Sequence, residues 1–339
     1  MLSDHKSIED LRPINSKCVR CSLCKFPPLV TVESARFSSA CPSYHEYKIH
    51  SHCGGGRVVM ALSVGEDRAE ISGEARDAFF QCTLCGACDI ACKYSSDIEI
   101  LEMLYALRAE SFRQVGPLPG HQKILERLDE AGHPRPEGGR KGDWLREMGL
   151  ESGAQVRDTL LYVGDLYALR PDARKSLENL VHLLEAAGVA FGALGDDEPS
   201  TARVALDIGD LERFDRHARA AAEAVQESGA RTVVCIDPHD LGAFRAHIPK
   251  VANLDGIRFV HAVEFLYELA SAGRLRPGKP LRKRVAYHDP CRLGRLSEPY
   301  RAWSGEQKKV KKQLVIYDPP RPVNRGAEGC YEPPRRLLR

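Results

Sequence analysis

Cys82-Thr83-Leu84-Cys85-Gly86-Ala87-Cys88-Asp89-Ile90-Ala91-Cys92 decides how the first third of this chain folds. Three cysteines at this spacing bring their sulfurs onto one tight turn, and a fourth cysteine follows. The same grammar stands upstream as Cys18-Val19-Arg20-Cys21-Ser22-Leu23-Cys24, whose further cysteine, Cys41, precedes Pro42. Each iron of a 4Fe–4S cube takes one protein thiolate, so four cysteines hold one cube and eight hold two. In two-cluster ferredoxins the fourth cysteine of each run serves the other run's cluster. Transferred to this sequence, Cys18, Cys21, Cys24 and Cys92 hold one cluster, and Cys82, Cys85, Cys88 and Cys41 hold the other. The two runs then interlock, which makes the pair of clusters part of the folding core.

Zinc is the main competitor, because paired Cys-x-x-Cys elements also close tetrahedral zinc sites. Four ligands complete such a site, so a third cysteine at the same spacing, twice over, is superfluous for it. The sequence departs from ferredoxin grammar in two places. Residues 25–40 intervene before Cys41, and Lys93 stands where proline usually follows the fourth cysteine. The long gap leaves Cys53 as a substitute for Cys41. Cys53 is otherwise a small buried thiol beside Gly54-Gly55-Gly56, and His45, His50 and His52 are candidates for N–H···S bonds that tune a cluster.

The rest of the composition narrows the class. At 339 residues the chain is long enough for two or three domains, and 49 basic against 47 acidic residues give no field that attracts nucleic acid. Twelve cysteines do not indicate a disulfide scaffold in a chain this long. The opening MLSDHKSIED carries charges where a signal peptide has its apolar region. The longest weakly polar stretch, 183–194, falls short of a membrane span. The expectation is a cytoplasmic protein that reaches the inner face of a membrane only through a partner.

Texture divides the chain. Residues 8–115 are expected to be a small α-helical domain around two clusters, with helices over 57–62, 74–80 and 98–108 and a glycine break at 54–56. Residues 116–157, rich in Gly, Pro and charge, are expected to be a linker with one short helix at 122–131. From 158 strands and helices alternate. Strands are expected at 159–163, 189–191, 232–236 and 258–261, and helices at 172–187, 211–228, 240–246 and 263–272. That alternation predicts a parallel sheet covered by helices, so the fold class is α+β and multidomain, an α-helical ferredoxin domain followed by an α/β domain. No strand is followed by G-x-G-x-x-G or G-x-x-x-x-G-K-[ST], so no flavin or nucleotide site is visible.

In this order of parts the chain resembles the cysteine-rich, CCG-domain iron–sulfur oxidoreductase subunits. That group includes iron–sulfur subunits of heterodisulfide reductase, of anaerobic glycerol-3-phosphate dehydrogenase and of glycolate oxidase. The likeness beyond residue 115 rests on Tyr287-His288-Asp289-Pro290-Cys291-Arg292-Leu293-Gly294-Arg295 and on Phe259-Val260-His261-Ala262-Val263-Glu264-Phe265-Leu266. It implies two CCG halves, each with a lone cysteine, a Cys-Cys pair and a Cys-x-x-Cys element. In the first half, 158–280, Asp165 stands for the lone cysteine, Ser200-Thr201 for the pair, and only Cys235 is left of the last element. Oxygen ligands do not replace soft thiolates around iron and sulfur, so this half is expected to keep the fold without the metal. The second half, 281–339, begins at Cys291 but is truncated or interrupted, with 297–329 a polar insertion and Cys330 followed by Tyr331.

The function expected from these readings is an electron-transfer subunit of an oxidoreductase complex, without a catalytic centre of its own. It would relay electrons between a flavoprotein or other redox subunit and a quinone-linked or Fe–S acceptor, such as a membrane cytochrome b or quinone-reducing subunit. The alternative is a heterodisulfide or disulfide reductase whose centre at Cys291 is completed by a partner chain. A zinc-stabilised scaffold is the third class.

Overall fold

The computed structural model describes residues 4–26, 34, 36, 38–95, 98–151, 158–276, 278–279, 283–298, 304–310, 314–320 and 329–339. The chain falls into two compact units. One comprises 5–116 and 299–327, the other 1–4, 117–298 and 328–339.

The cysteine-rich unit is helical: α1 (Ile8–Asn15), α2 (Pro42–Tyr47), α3 (Gly54–Gly65), α4 (Gly73–Phe80), α5 (Ala87–Ser95) and α6 (Ile100–Val115). Its first helix starts on a capping box, with the Ser7 hydroxyl accepting from the Asp10 N–H and the Asp10 carboxylate from the Ser7 N–H. The central helix is α6, which packs on α3, α1, α4 and α5. Leu101, Met103, Leu104 and Leu107 on it are buried, each stabilising the unit by about 1.5–3 kcal/mol. Gly54-Gly55-Gly56 is not a break but the first turn of α3.

The expected linker changes character. Residues 116–157 contain α7 (Pro119–Ala131) and α8 (Asp143–Glu147), and Trp144 and Leu145 of α8 are buried in the apolar cluster on the sheet that follows. Glycines and prolines around those helices suggested a linker, but they form caps and turns: Pro119 opens α7 and Gly132 closes it with a left-handed φ of 72°. Residues 152–157 lie outside the described residues.

That second unit is built on a parallel sheet in the order β1 (Thr159–Tyr162), β2 (Thr232–Cys235), β3 (Arg258–His261). Between β1 and β2 run α9 (Gly164–Leu169), α10 (Pro171–Ala186), α11 (Arg203–Ile208) and α12 (Leu211–Glu227). The short α13 (Pro238–Gly242) follows β2, and α14 (Ala262–Ser271) follows β3. Alternation along the strands splits the core. Leu161, Val234 and Val260 face α10 and α14 in one apolar cluster. On the other face Tyr162, Phe244 and Phe259 pack ring on ring, at 4.9 and 4.7 Å between centroids. The strand expected at 189–191 shrinks to a single bridge, Gly192 against Leu160. Gly188 ends α10 in a left-handed turn just before it, which leaves only Gly192 in register with β1.

Residues 304–310 and 314–320 group with the cysteine-rich unit and carry an antiparallel strand pair, β4 (Glu306–Val310) with β5 (Leu314–Asp318), inside the expected insertion. Residues 299–303, 311–313 and 321–328 of that insertion lie outside the described residues, as do 281–282 of the expected second half.

Candidate metal centre

Two cavities in the cysteine-rich unit gather the thiols in the crossed arrangement. Cys18, Cys21, Cys24 and Cys92 line one, about 360 Å³ including its open mouth. Cys41, Cys82, Cys85 and Cys88 line the other, about 340 Å³ by the same measure. Each therefore takes three sulfurs from one run and the fourth from the other. In two places sequence neighbours line opposite cavities. Gly54 and Leu101 face the Cys41 cavity, whereas their neighbours Gly55 and Ile100 face the Cys92 cavity.

The glycines test whether a bulky group fits. A Cβ on Gly54 would lie 2.8 Å from the Cys88 sulfur, and one on Gly55 would lie 3.1 Å from the Cys24 sulfur. A Cβ on Gly56 would sit 1.9 Å from the His50 carbonyl oxygen. Backbone thus comes as close to the thiols as any chain can, which keeps the space in front of them open. The thiols ring a volume instead of meeting at a point. Among the described residues no three His, Cys, Asp or Glu side chains converge as the ligands of a single ion do. This suits a cube better than zinc.

The comparison with known proteins agrees. Residues 14–96 match the 4Fe-4S dicluster domain family. Over that stretch the chain is similar to a dicluster domain. The longer likeness to iron–sulfur oxidoreductase subunits also holds. The chain is 28% identical over 235 residues to the "EtfAB:quinone oxidoreductase" of Syntrophomonas wolfei, 66% of this chain and 32% of that protein. It is 29% identical over 236 residues to the "Probable membrane-anchored ferredoxin" of Chromohalobacter salexigens, 67% of this chain and 34% of that one. To a subunit of the dihydromethanophenazine:CoB--CoM heterodisulfide reductase of Methanosarcina barkeri it is 25% identical over 227 residues, 66% of this chain and 54% of that protein. The matched region thus spans about a third of the first two and about half of the third. No solved structure matches significantly. Among the described residues no helix is long and apolar enough to cross a membrane.

Within residues 14–96, backbone amides are aimed at sulfur. The N–H groups of Gly55, Tyr44 and Leu84 donate to Cys24, Cys41 and Cys82 at 3.3, 3.4 and 3.4 Å. Burial pushes the Cys88 thiol well up, raises Cys41 and lifts Cys92 to about 11. Metal loading must therefore expel protons that these thiols hold at neutral pH, because only thiolates ligate iron. Cys53 lines neither cavity. It is fully buried, accepts the Gly56 N–H at 3.4 Å to cap α3, and lies 3.8 Å from Cys24. In the iron-free pair Cys24 donates, which pulls Cys53 down to about 6 and pushes Cys24 up. With Cys24 on iron the donor would be Cys53, since a metal-bound thiolate carries no proton. Of the three histidines only His50 lines a cavity; His52 pairs with Gln81 and His45 with Lys48.

Substituting Gly54→Ala is expected to remove one cluster, taking bound iron from about eight to about four per chain. The added methyl would displace Cys88, so the surviving signal belongs to the Cys18 cavity. Iron analysis with EPR reads the outcome, and full iron in the variant would contradict the fit of the cavity.

In the other unit, the positions that the resemblance singled out converge at the carboxyl ends of the strands. The Ser200 hydroxyl donates to Asp165 at 2.5 Å and the Thr201 hydroxyl to Asp240 at 2.6 Å. The Lys141 ammonium lies 2.8 Å from Asp165 and 3.5 Å from Glu198, whose carboxylate accepts the N–H groups of Val163 and Gly164 at 2.8 Å. Burial alone would lower the Lys141 ammonium, but Asp165 and Glu198 outweigh it and hold it above its ordinary value. Burial raises Glu198, with Lys141 and the two amides opposing. Burial, then Asp237 and Asp165, drive the Asp240 carboxyl well above its ordinary value. Hard oxygen and ammonium groups satisfying one another thus occupy the strand ends. Cys235 is fully buried in the sheet, its thiol pushed up by burial.

Cys291 begins the turn after the coil at 283–290, half-buried, with the Arg295 guanidinium donating to its sulfur at 3.4 Å. Cys330 is buried, its thiol pushed up to about 12, and its N–H donates to the Leu293 carbonyl at 3.1 Å. The two loops touch backbone to backbone, since a Cβ on Gly329 would meet the Gly294 oxygen at 2.4 Å. Sequence reasoning passed over Arg57, which is fully buried, and Lys141, whose side chain is 10% exposed. An arginine directly after three glycines, and a lysine between glycines in an expected linker, carry no periodic signal.

Proposed function

We propose that this chain passes single electrons through two 4Fe–4S clusters, held by Cys18, Cys21, Cys24 and Cys92 and by Cys82, Cys85, Cys88 and Cys41, as one part of an oxidoreductase complex. The observation that carries this reading is the pair of four-thiol cavities, lined on opposite sides by sequence neighbours. The clusters supply one-electron redox capacity. The thiolates hold them, the amides of Gly55, Tyr44 and Leu84 stabilise the sulfur charge, and Ile98, Ile100, Leu101 and Leu104 exclude water. Exposed Cys21, with Val19 at 72% exposure, brings one cavity to the surface, where a partner's centre can approach. The partners of this reading are a flavin-type donor and a quinone-linked or Fe–S acceptor. Its support is that one relative is named for EtfAB and quinone, another for dihydromethanophenazine and the CoB–CoM heterodisulfide. Anaerobically purified protein is expected to hold about eight irons and to give two EPR-active clusters on reduction. Fewer than about six irons, or stoichiometric zinc in a colourless protein, would overturn it.

A second reading has one specific observation behind it, the Arg295 guanidinium on the Cys291 sulfur. On this reading Cys291, with Arg295 on its sulfur, would belong to a disulfide-reducing centre that a partner completes. Cys291→Ser decides: unchanged electron transfer from donor to acceptor removes this reading.

A further inference from the structure

Arg57, on the first turns of α3, is fully buried and faces the cavity of Cys41, Cys82, Cys85 and Cys88. Its guanidinium makes four hydrogen bonds, two to the Ala78 carbonyl and one each to the His52 carbonyl and the Ser43 hydroxyl, at 2.6–2.9 Å. All three acceptors are neutral. Arginine keeps its proton under all ordinary conditions, so this is a permanent charge taken out of water without a carboxylate beside it among the described residues. Buried charges are normally paired, and Lys93 in the same domain is, with Glu99. The anion that Arg57 lacks is supplied if the four thiolates next to it carry a cluster, whose net charge is negative.

Among the described residues, the other cavity has no such cation. The charged side chain on its wall, Arg20, is exposed, so water and salt screen it. Asp89 acts on thiols of both cavities, Cys88 and Cys92. Amide donors also reach both, from Gly55 to Cys24 on one side and from Tyr44 and Leu84 to Cys41 and Cys82 on the other. Buried guanidinium charge separates the two environments: Arg57 on the cavity wall, with Arg108 beyond it donating to the Cys82 carbonyl at 2.5 Å.

We infer that Arg57 is the counter-charge of the cluster bound by Cys41, Cys82, Cys85 and Cys88, and that it makes this cluster the more easily reduced of the two, which presupposes the two-cluster function proposed above. An electron from the donor would add one negative charge to a cluster held there, and the buried Arg57 guanidinium would offset that charge and raise the cluster's potential. Arg57 is a positioning residue, acting through the thiolates.

Redox titration of the full chain followed by EPR is the test. Arg57→Gln is expected to lower the reduced-to-oxidised ratio of the Cys41 cluster at least tenfold at fixed ambient potential, about 59 mV for a one-electron couple. The other cluster is expected to move far less, and Arg57→Lys, which keeps the charge, to stay near the wild type. Equal shifts of both clusters, no shift with iron retained, or a lysine variant as impaired as the glutamine one would overturn the inference. Should Arg57→Gln fail to fold, chains with one cluster each decide. The cluster left in Cys18→Ala must titrate at a higher potential than the one left in Cys82→Ala, and an equal or lower value overturns the inference. An iron content near zero in the wild type would instead sink the two-cluster reading, so the two failures are distinct.

Discussion

Cys92→Ala is expected to abolish the cluster of the Cys18 run and to leave the cluster of its own run intact. Its spectrum should therefore match that of Cys18→Ala, and Cys41→Ala should match Cys82→Ala. The expectation follows from the cavities: Cys92 opens with Cys18, Cys21 and Cys24, not with the three cysteines that immediately precede it in sequence. Ala removes one of four thiolates, and a cube with a corner open to water is labile, so about half the iron goes with it. Interlocking adds a structural effect. Each cavity ties residues near 20 or 40 to residues near 90, so a lost cluster also loosens the packing of α5 on α6. Iron analysis with EPR on all four variants reads the pairing directly. Matching spectra for Cys92→Ala and Cys82→Ala would mean that the runs are not crossed.

Lys141→Met should destabilise the sheet-bearing unit by about 3–5 kcal/mol, because it strands buried carboxylates without a counter-ion. The lysine side chain is only 10% exposed, and its partners Asp165 and Glu198 are 13% and 3% exposed. Methionine matches the stem in length, so packing is kept and charge is the variable. An unfolding midpoint lower by on the order of 10 °C follows for a unit of this size. Hydrogen exchange in the β1, β2 and β3 amides localises the effect. The pH dependence has a definite sign. Burial already raises the Glu198 carboxyl and Lys141 opposes that rise, so without Lys141 it is raised further above its unfolded value of about 4; the folded form then binds more protons, and the defect shrinks as pH falls toward that value. A second change, Glu198→Gln on the Lys141→Met background, should recover part of the loss. A midpoint within about one degree of wild type would mean that the network contributes little.

The thiol pattern was the most legible part of this molecule. Spacing marked the two runs, the rule for two-cluster ferredoxins suggested crossing them, and the sequence left Cys41 and Cys53 both open; Cys41 lines a cavity with Cys82, Cys85 and Cys88, whereas Cys53 lines neither. The strands were legible too, since TLLYV and TVVCI are short apolar runs between turn residues. What escaped has a common physical cause. Gly54-Gly55-Gly56 reads as a break because glycine is a poor helix former; here close approach to sulfur outweighs that propensity. Trp144 sits in a stretch dense with Gly, Pro and charge, so local composition hid a core residue that only tertiary packing reveals. Arg57 and Lys141 are ions held wholly or largely out of water, and hydrophobic patterning assigns such residues to the surface. Val189, Ala190 and Phe191 have strand composition, yet the turn at Gly188 leaves them too little chain to pair along β1.

The partition at Gly54 and Gly55 has one more consequence. Two centres separated by adjacent residues feel each other's charge through protein, where screening is weak. On the proposed two-cluster reading the second electron would be repelled once one cluster has been reduced, so the pair would not fill as two independent vessels. It would hold one electron readily and two only reluctantly. A donor that releases electrons in pairs would have to wait between the first and the second, and the acceptor side would set the pace of that wait.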